Sequence, residues 1–223
     1  EKYFTRLSNK ANPEPVETVE PEQQGERRIF VEDPAQPLLL VGYHMPDFNH
    51  PDRIVADVLL DVAGRGRASR LYKNLVKQKR IAISTSGFSG FPGTKYPSLI
   101  TFFAFPSRGH STEECEAALY EEIDNLKKQL VSEEELKKAK TRARADLIRQ
   151  LGSNTGIAGQ LAFYEAMTGD WRDLFRELDR INAVTAQDIQ RVAQQYLTPK
   201  HRTVAVTRTT AATKTESTPG RQE

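Results

Sequence analysis

The sequence predicts an α+β fold: a mostly antiparallel β-sheet with helices packed on one face. β-rich runs come in adjacent pairs, 27–32 with 36–45 and 81–89 with 98–105, which implies hairpins, whereas residues from Ser111 onward read almost entirely as helix. A doubly wound sheet would need strands and helices in regular alternation, and that alternation is missing. At 223 residues the chain suits one large domain, and a chain of that size buries roughly 70% of its unfolded surface without staples.

The first strand carries Ile29, Phe30 and Val31. The second carries Leu38, Leu39, Leu40, Val41 and Tyr43, apolar enough for the middle of a sheet. Pro46 and Asn49-His50-Pro51 break it. Ile54, Val55, Val58, Leu59 and Val62 then recur at three- and four-residue spacing, which predicts an amphipathic helix over 52–63 stopped by Gly64 and Gly66. A second helix starts near Ala68 or Ser69 with Leu71, Tyr72, Leu75 and Val76 on its buried side, and runs into the strand 81–89. A turn over 90–97 leads to the strand 98–105.

Ser111-x-x-Glu114 and Ser132-x-x-Glu135 are capping boxes. The first opens a helix with the stripe Leu119, Ile123, Leu126 and Leu130. The second opens a helix to about Arg149, supported by the pairs Glu133/Lys137 and Glu134/Lys138. Helices follow over 155–167, 171–182 and 186–196, the last capped by Thr185 with Asp188 three residues on, and a strand over 202–207 closes the chain. Residues 1–26, with Pro13, Pro15 and Pro21, read as a linker or draped arm, and 209–223 as a disordered tail. That leaves 27–208 as the ordered domain. The missing initiator Met and signal-peptide core fit a fragment of a longer protein and leave its compartment open.

Charge narrows the partners. The 32 basic and 30 acidic residues are mostly interleaved, unlike the concentrated basic excess of a nucleic-acid binder. No apolar run approaches the ~20 residues that span a bilayer. Cys115 sits among Glu113, Glu114 and Glu116 and is expected to pack rather than react. His44, His50, His110 and His201 form no i, i+4 pair and no zinc motif, and no G-x-S-x-G elbow is present. Basic residues do gather at Arg65, Arg67, Arg70, Lys73, Lys77, Lys79 and Arg80, and no acid lies between Asp61 and Glu113. This is either a solvated helix face or a positive wall for an acidic partner or peptide. Arg65, Lys73 and Arg80 are the candidate substrate-binding residues.

The run Gly66-Arg67-Ala68-Ser69-Arg70-Leu71-Tyr72-Lys73-Asn74-Leu75 resembles the G-x-x-S-R-L-[YF]-x-x-L signature of the pitrilysin, insulysin and mitochondrial-processing-peptidase family. Pro37-Leu38-Leu39-Leu40-Val41-Gly42-Tyr43-His44-Met45-Pro46 resembles its opening hairpin. Val184-Thr185-Ala186-Gln187-Asp188-Ile189 and Tyr196-Leu197-Thr198-Pro199 resemble its closing segment. The likeness covers about 25–208 and points to the second, non-zinc-binding half of a bacterial-type zinc endopeptidase.

It implies that zinc belongs to an N-terminal domain bearing H-x-x-E-H, in the same or a separate chain. No cofactor and no catalytic residue is expected here. This half would form a chamber wall and bind peptide, by strand addition on 36–45 or 98–105 if at an edge; a homodimer is compatible with this. The alternative is a non-catalytic scaffold or interaction subunit of the same family. Active relatives supply an Arg and a Tyr after the signature, where this sequence has Val76 and Ile83, and neither can donate a side-chain hydrogen bond.

Overall fold

A computed structural model describes residues 19–210. Strands β1 (Arg27–Asp33), β2 (Leu38–Met45), β3 (Ala82–Phe91), β4 (Ser98–Pro106) and β5 (Arg202–Thr209) form one five-stranded sheet in the order β1-β5-β2-β4-β3. The β3–β4 hairpin forms as the sequence implies. β1 and β2, in contrast, do not pair: β5 lies between them, antiparallel to β2 and parallel to β1. Burial explains the insertion. Val204 and Val206 of β5 are 0% and 3% exposed, and they sit opposite Val41 and Leu39 of β2, both 0% exposed. β1 is exposed at every position and takes the edge. Because β2 and β4 are interior strands, neither 36–45 nor 98–105 can accept an added strand; among the described residues the edges are β1 and β3.

The helices are α1 (Asp52–Ala63), α2 (Thr112–Lys128), α3 (Glu133–Gln150), α4 (Asn154–Thr168), α5 (Asp173–Ala183) and α6 (Ala186–Tyr196). Side chains of α1, α2 and α6 share one core with the sheet, in which Tyr43, Leu59, Leu60, Phe102, Leu119 and Ile189 are all fully buried. The approach is close enough to require a glycine. A Cβ on Gly87 of β3 would lie 2.6 Å from Leu60 Cδ1 of α1 and 2.9 Å from Phe102 Cδ1 of β4. α3, α4 and α5 build an outer helical layer with its own small cluster of Leu147, Tyr164 and Leu174 against Phe48, Leu161 and Leu178. No described helix is long and apolar enough to cross a membrane.

Both capping boxes read from the sequence are reciprocal, and Thr185 with Asp188 makes a third. Two expectations need correction. The helix carrying the signature is π-helical over Tyr72–Gln78: the Lys79 N–H reaches back five residues to Asn74 O at 2.8 Å, and the wider turn buries Asn74 beside Leu75. Leu130 falls beyond the end of α2 and is 48% exposed, so the α2 stripe runs through Cys115, Leu119, Ile123 and Leu126 instead. Of the N-terminal arm, residues 1–18 lie outside the described part, as do 211–223 of the tail. The described end of the arm is pinned: the Gln23 amide donates to Arg202 O at 2.7 Å and to Gly25 O at 2.6 Å.

Leu71 and Leu75 are 1% and 0% exposed in the main core. Leu71→Ala or Leu75→Ala is expected to cost about 2–5 kcal/mol in denaturant unfolding. Leu130→Ala should stay within about 0.5 kcal/mol. A similar cost at all three positions would contradict this core assignment.

Candidate functional site: the open face of the sheet

With α1, α2 and α6 all on one side, alternate residues of each strand point to a face that no described helix covers. The registers give its rows. Ser86, Phe103, Leu40, Ala205 and Ile29 lie side by side across all five strands. Phe88, Thr101, Gly42, Thr203 and Arg27 form the next row, and Leu38, Thr207 and Val31 continue a third. Leu38, Leu40, Phe103, Phe105 and Ala205 are half-buried, while Ile29, Val31 and Phe88 are exposed. Three rings make a chain: Phe88 to Phe103 at 6.4 Å and Phe103 to Phe105 at 5.9 Å between centroids. Gly42 opens a dip in the middle, where an added Cβ would sit 3.2 Å from the Leu99 side chain. The hydroxyl of Thr101 beside it is buried with no hydrogen-bond partner among the described residues.

The three candidate basic residues do not converge. Arg65 faces the helical layer, lining a cavity of about 370 Å³ with Asp61, Asp146, Gln150 and Tyr164. Lys73 lines a groove with Glu135, Lys138 and Arg142 of α3. Arg80 alone lies beside the sheet, at the entry to β3, where its carbonyl accepts from the Ser107 hydroxyl at 2.7 Å. The acid-free stretch of sequence is also less bare in space than in order. Arg70 makes a two-pronged pair with Glu135 at 2.8 and 2.9 Å, Lys79 meets Glu121, and Arg65 approaches Asp61 at 3.2 Å. The Arg70 guanidinium, helped by the Ser132 cap, holds the Glu135 carboxyl down at about 2.

Val76 packs against the main core, and Ile83 is 59% exposed at a bulge in β3. Tyr164 is buried in the outer helical cluster, on the far side of the sheet from the open face. Tyr72 is half-buried with Lys77 above its ring. Cys115 is buried, its thiol bonded to Ile81 O at 3.5 Å and pushed up to about 11 by burial, so it packs as expected. Two of the histidines are engaged separately: His50 Nδ1 accepts the Asp52 N–H at 3.1 Å and His110 pairs with Glu114 at 2.7 Å, while His201 Nδ1 is buried with no hydrogen-bond partner among the described residues. Among the described residues no group of three or more His, Cys, Asp or Glu is placed to hold a metal ion. These residues do not fit a zinc site.

The profile of the peptidase M16 inactive domain matches residues 1–143. The chain belongs to that family. It is 30% identical over 200 residues to the zinc protease PqqE of Helicobacter pylori (strain ATCC 700392 / 26695), covering 87% of this chain and 44% of that protein. A solved protease structure from Helicobacter pylori superimposes with a TM-score of 0.83 at 28% identity, over 92% of this chain and 50% of the other. The inactive peptidase domain of a candidate zinc protease from Bordetella parapertussis gives 0.69 at 27% identity, over 77% and 89% of the two chains. The chain thus spans about half the length of the Helicobacter pylori proteins it matches. A subunit of complex III2 from Candida albicans, at 17% identity and a TM-score of 0.68, shares the fold alone.

Sequence order hid a second feature of the M16 domain, the buried charge beneath its helical layer. Arg53 joins Asp57 at 3.1 Å and both oxygens of Glu177 at 2.8 and 2.9 Å. Asp61, eight residues along α1, fares worse. Among the described residues its Oδ1 has no hydrogen-bond partner, only the ion pair with Arg65 at 3.2 Å, and burial pushes its carboxyl up to about 6 against the pull of Arg65 and Arg142. An unfolded aspartate titrates near 3.8. Below that pH the site is neutral in both states; as pH rises through about 6 the folded chain must hold a buried charge and stability is lost. Asp61→Asn is therefore expected to raise the thermal midpoint at pH 7.5, with the gain fading toward pH 4. A lower midpoint for the variant at pH 7.5 would show that the Arg65 pair outweighs burial.

Proposed function

We propose that this domain is the non-catalytic wall of a zinc-dependent endopeptidase and that its open sheet face binds extended peptide opposite a zinc-bearing N-terminal half. What supports the reading is the one-sided packing of the sheet. A five-strand surface with aromatic and aliphatic rows is left uncovered by the described helices, and apolar patches of this kind mark binding surfaces. Zinc, when bound by the other half, supplies a Lewis acid and an activated water; this chain's residues hold and orient the substrate. Phe88, Phe103 and Phe105 offer flat apolar contact; of the candidate basic residues Arg80 alone stands beside this sheet, while Arg65 and Lys73 lie toward the helical layer.

A scaffold reading draws on Val76 and Ile83, where aliphatic side chains stand in place of donors. The two readings differ in one measurement. A labelled, unfolded polypeptide titrated against the 223-residue chain is expected to bind. Phe88→Ser with Phe105→Ser should weaken binding by about tenfold or more, equal to ~1.4 kcal/mol, without altering the circular dichroism. Equal affinity of wild type and double variant would favour the scaffold. Adding a separately produced zinc-bearing half should bring peptide hydrolysis that neither part shows alone.

A further inference from the structure

The edge strand β3 begins from an unusual corner. Arg80 has φ 57°, and among the described residues it is the one non-glycine at positive φ. That region favours glycine, because a Cβ crowds the neighbouring carbonyl. The corner is fixed from three directions: Ser107 Oγ donates to Arg80 O at 2.7 Å, Ser107 N–H to Ile81 O at 2.9 Å, and Ile81 N–H to Leu75 O at 3.0 Å.

Nothing in the fold asks for arginine at this position. Its side chain is exposed, and among the described residues its guanidinium makes no hydrogen bond or ion pair, whereas Arg70 and Lys79 are engaged by Glu135 and Glu121. Arg108, the residue after Ser107, is exposed and equally without a partner among them. The next acids along the chain are occupied: Glu114 accepts from Ser111 N–H and pairs with His110, and Glu113 accepts from the Thr112 hydroxyl.

Among the described residues β3 has β4 as its sole sheet neighbour, which leaves one side of its backbone without a partner there. Bulges interrupt it between Ala82 and Ser84 and between Ser89 and Phe91, but residues 84–89 keep regular register. Such bulges blunt exposed edges against stray pairing. A merely blunted edge, however, needs neither an unpaired guanidinium nor a disfavoured backbone to carry it. Asp57, the acid at the far end of the strand, already accepts from Ser89 Oγ at 2.7 Å. Glu121 is taken by Lys79, so among the described residues Arg80 and Arg108 keep their charges uncompensated at this corner.

We propose that an extended peptide adds to β3 as an outer strand, with a peptide carboxylate held by Arg80 and assisted by Arg108. Strand addition supplies main-chain hydrogen bonds without regard to sequence, and the guanidinium adds selection for a carboxylate, either an acidic side chain or the C-terminus. This rests on the peptide-binding reading above and names its ligand chemistry.

The test uses the 223-residue chain and three short labelled peptides: one with an internal Asp and an amidated C-terminus, one neutral with a free C-terminus, and one neutral and amidated. Wild type should bind at least one carboxylate peptide about tenfold tighter than the neutral amidated one, and the preferred arm identifies the source. Arg80→Gly should abolish that preference while the thermal midpoint holds or rises, because glycine suits the backbone. Undiminished preference in Arg80→Gly would overturn the assignment, as would a lowered midpoint, which would make Arg80 a structural residue. If all three peptides bind alike and Phe88→Ser with Phe105→Ser weakens them, the Arg80 assignment fails and the wall reading survives. If none binds, both fail.

Discussion

The meeting of α1 with the sheet at Gly87 sets the rest of the architecture. A side chain there would collide with Leu60 and Phe102, and Gly64 at the end of α1 faces the same constraint, its notional Cβ 3.0 Å from the Phe102 ring. With both positions bare, α1 lies close against the strands, and Phe102 fills the space beside Tyr43, their rings edge to face at 6.4 Å. Close seating on one side makes a dense core there. All three helices of the inner layer share that core, so no described helix covers the face bearing Phe103 and Leu40. The candidate site is a consequence of where the core is, not an addition to it.

Much of this was legible in the sequence because the signals were local. Capping pairs bracketed α2, α3 and α6 within a few residues, and the spacing of Ile54, Val55, Val58, Leu59 and Val62 drew α1 at its observed limits. Strand partners were not local. The β1–β2 pairing was inferred from adjacency, yet β5, more than 150 residues later, takes the place beside β2 because its valines need burial that the exposed β1 does not. The open face was half-visible. Strict alternation through Leu99, Thr101, Phe103 and Phe105 points one set of side chains away from Ile100, Phe102 and Ala104, but whether a helix covers that set depends on the whole topology.

The electrostatics were the least legible, for a related reason. Read along the chain, seven basic residues from Arg65 to Arg80 face no acid. In the fold, α2 and α3 bring Glu121 and Glu135 against Lys79 and Arg70, and Asp61 stands one turn before Arg65. Glu135 shows how one residue serves two levels. It closes the Ser132 capping box and simultaneously ties the signature segment to α3 through Arg70, and only the first role has a sequence signature.

What survives this neutralisation has physical meaning because most of the cluster does not. A cation engaged by a carboxylate has its field largely cancelled within a few ångströms, whereas one without a partner keeps it until a ligand arrives. Arg65 is matched by an aspartate whose ionisation burial resists, so its charge is cancelled less completely than the 3.2 Å separation suggests. Arg80 stands apart on two counts: it is unmatched among the described residues, and its backbone conformation opposes any residue with a side chain. Packing would relieve the second by choosing glycine, and burial has no interest in an exposed guanidinium. Local strain kept at an exposed charged position, beside a strand unpaired on one side among the described residues, is the combination on which the proposed peptide contact at β3 rests.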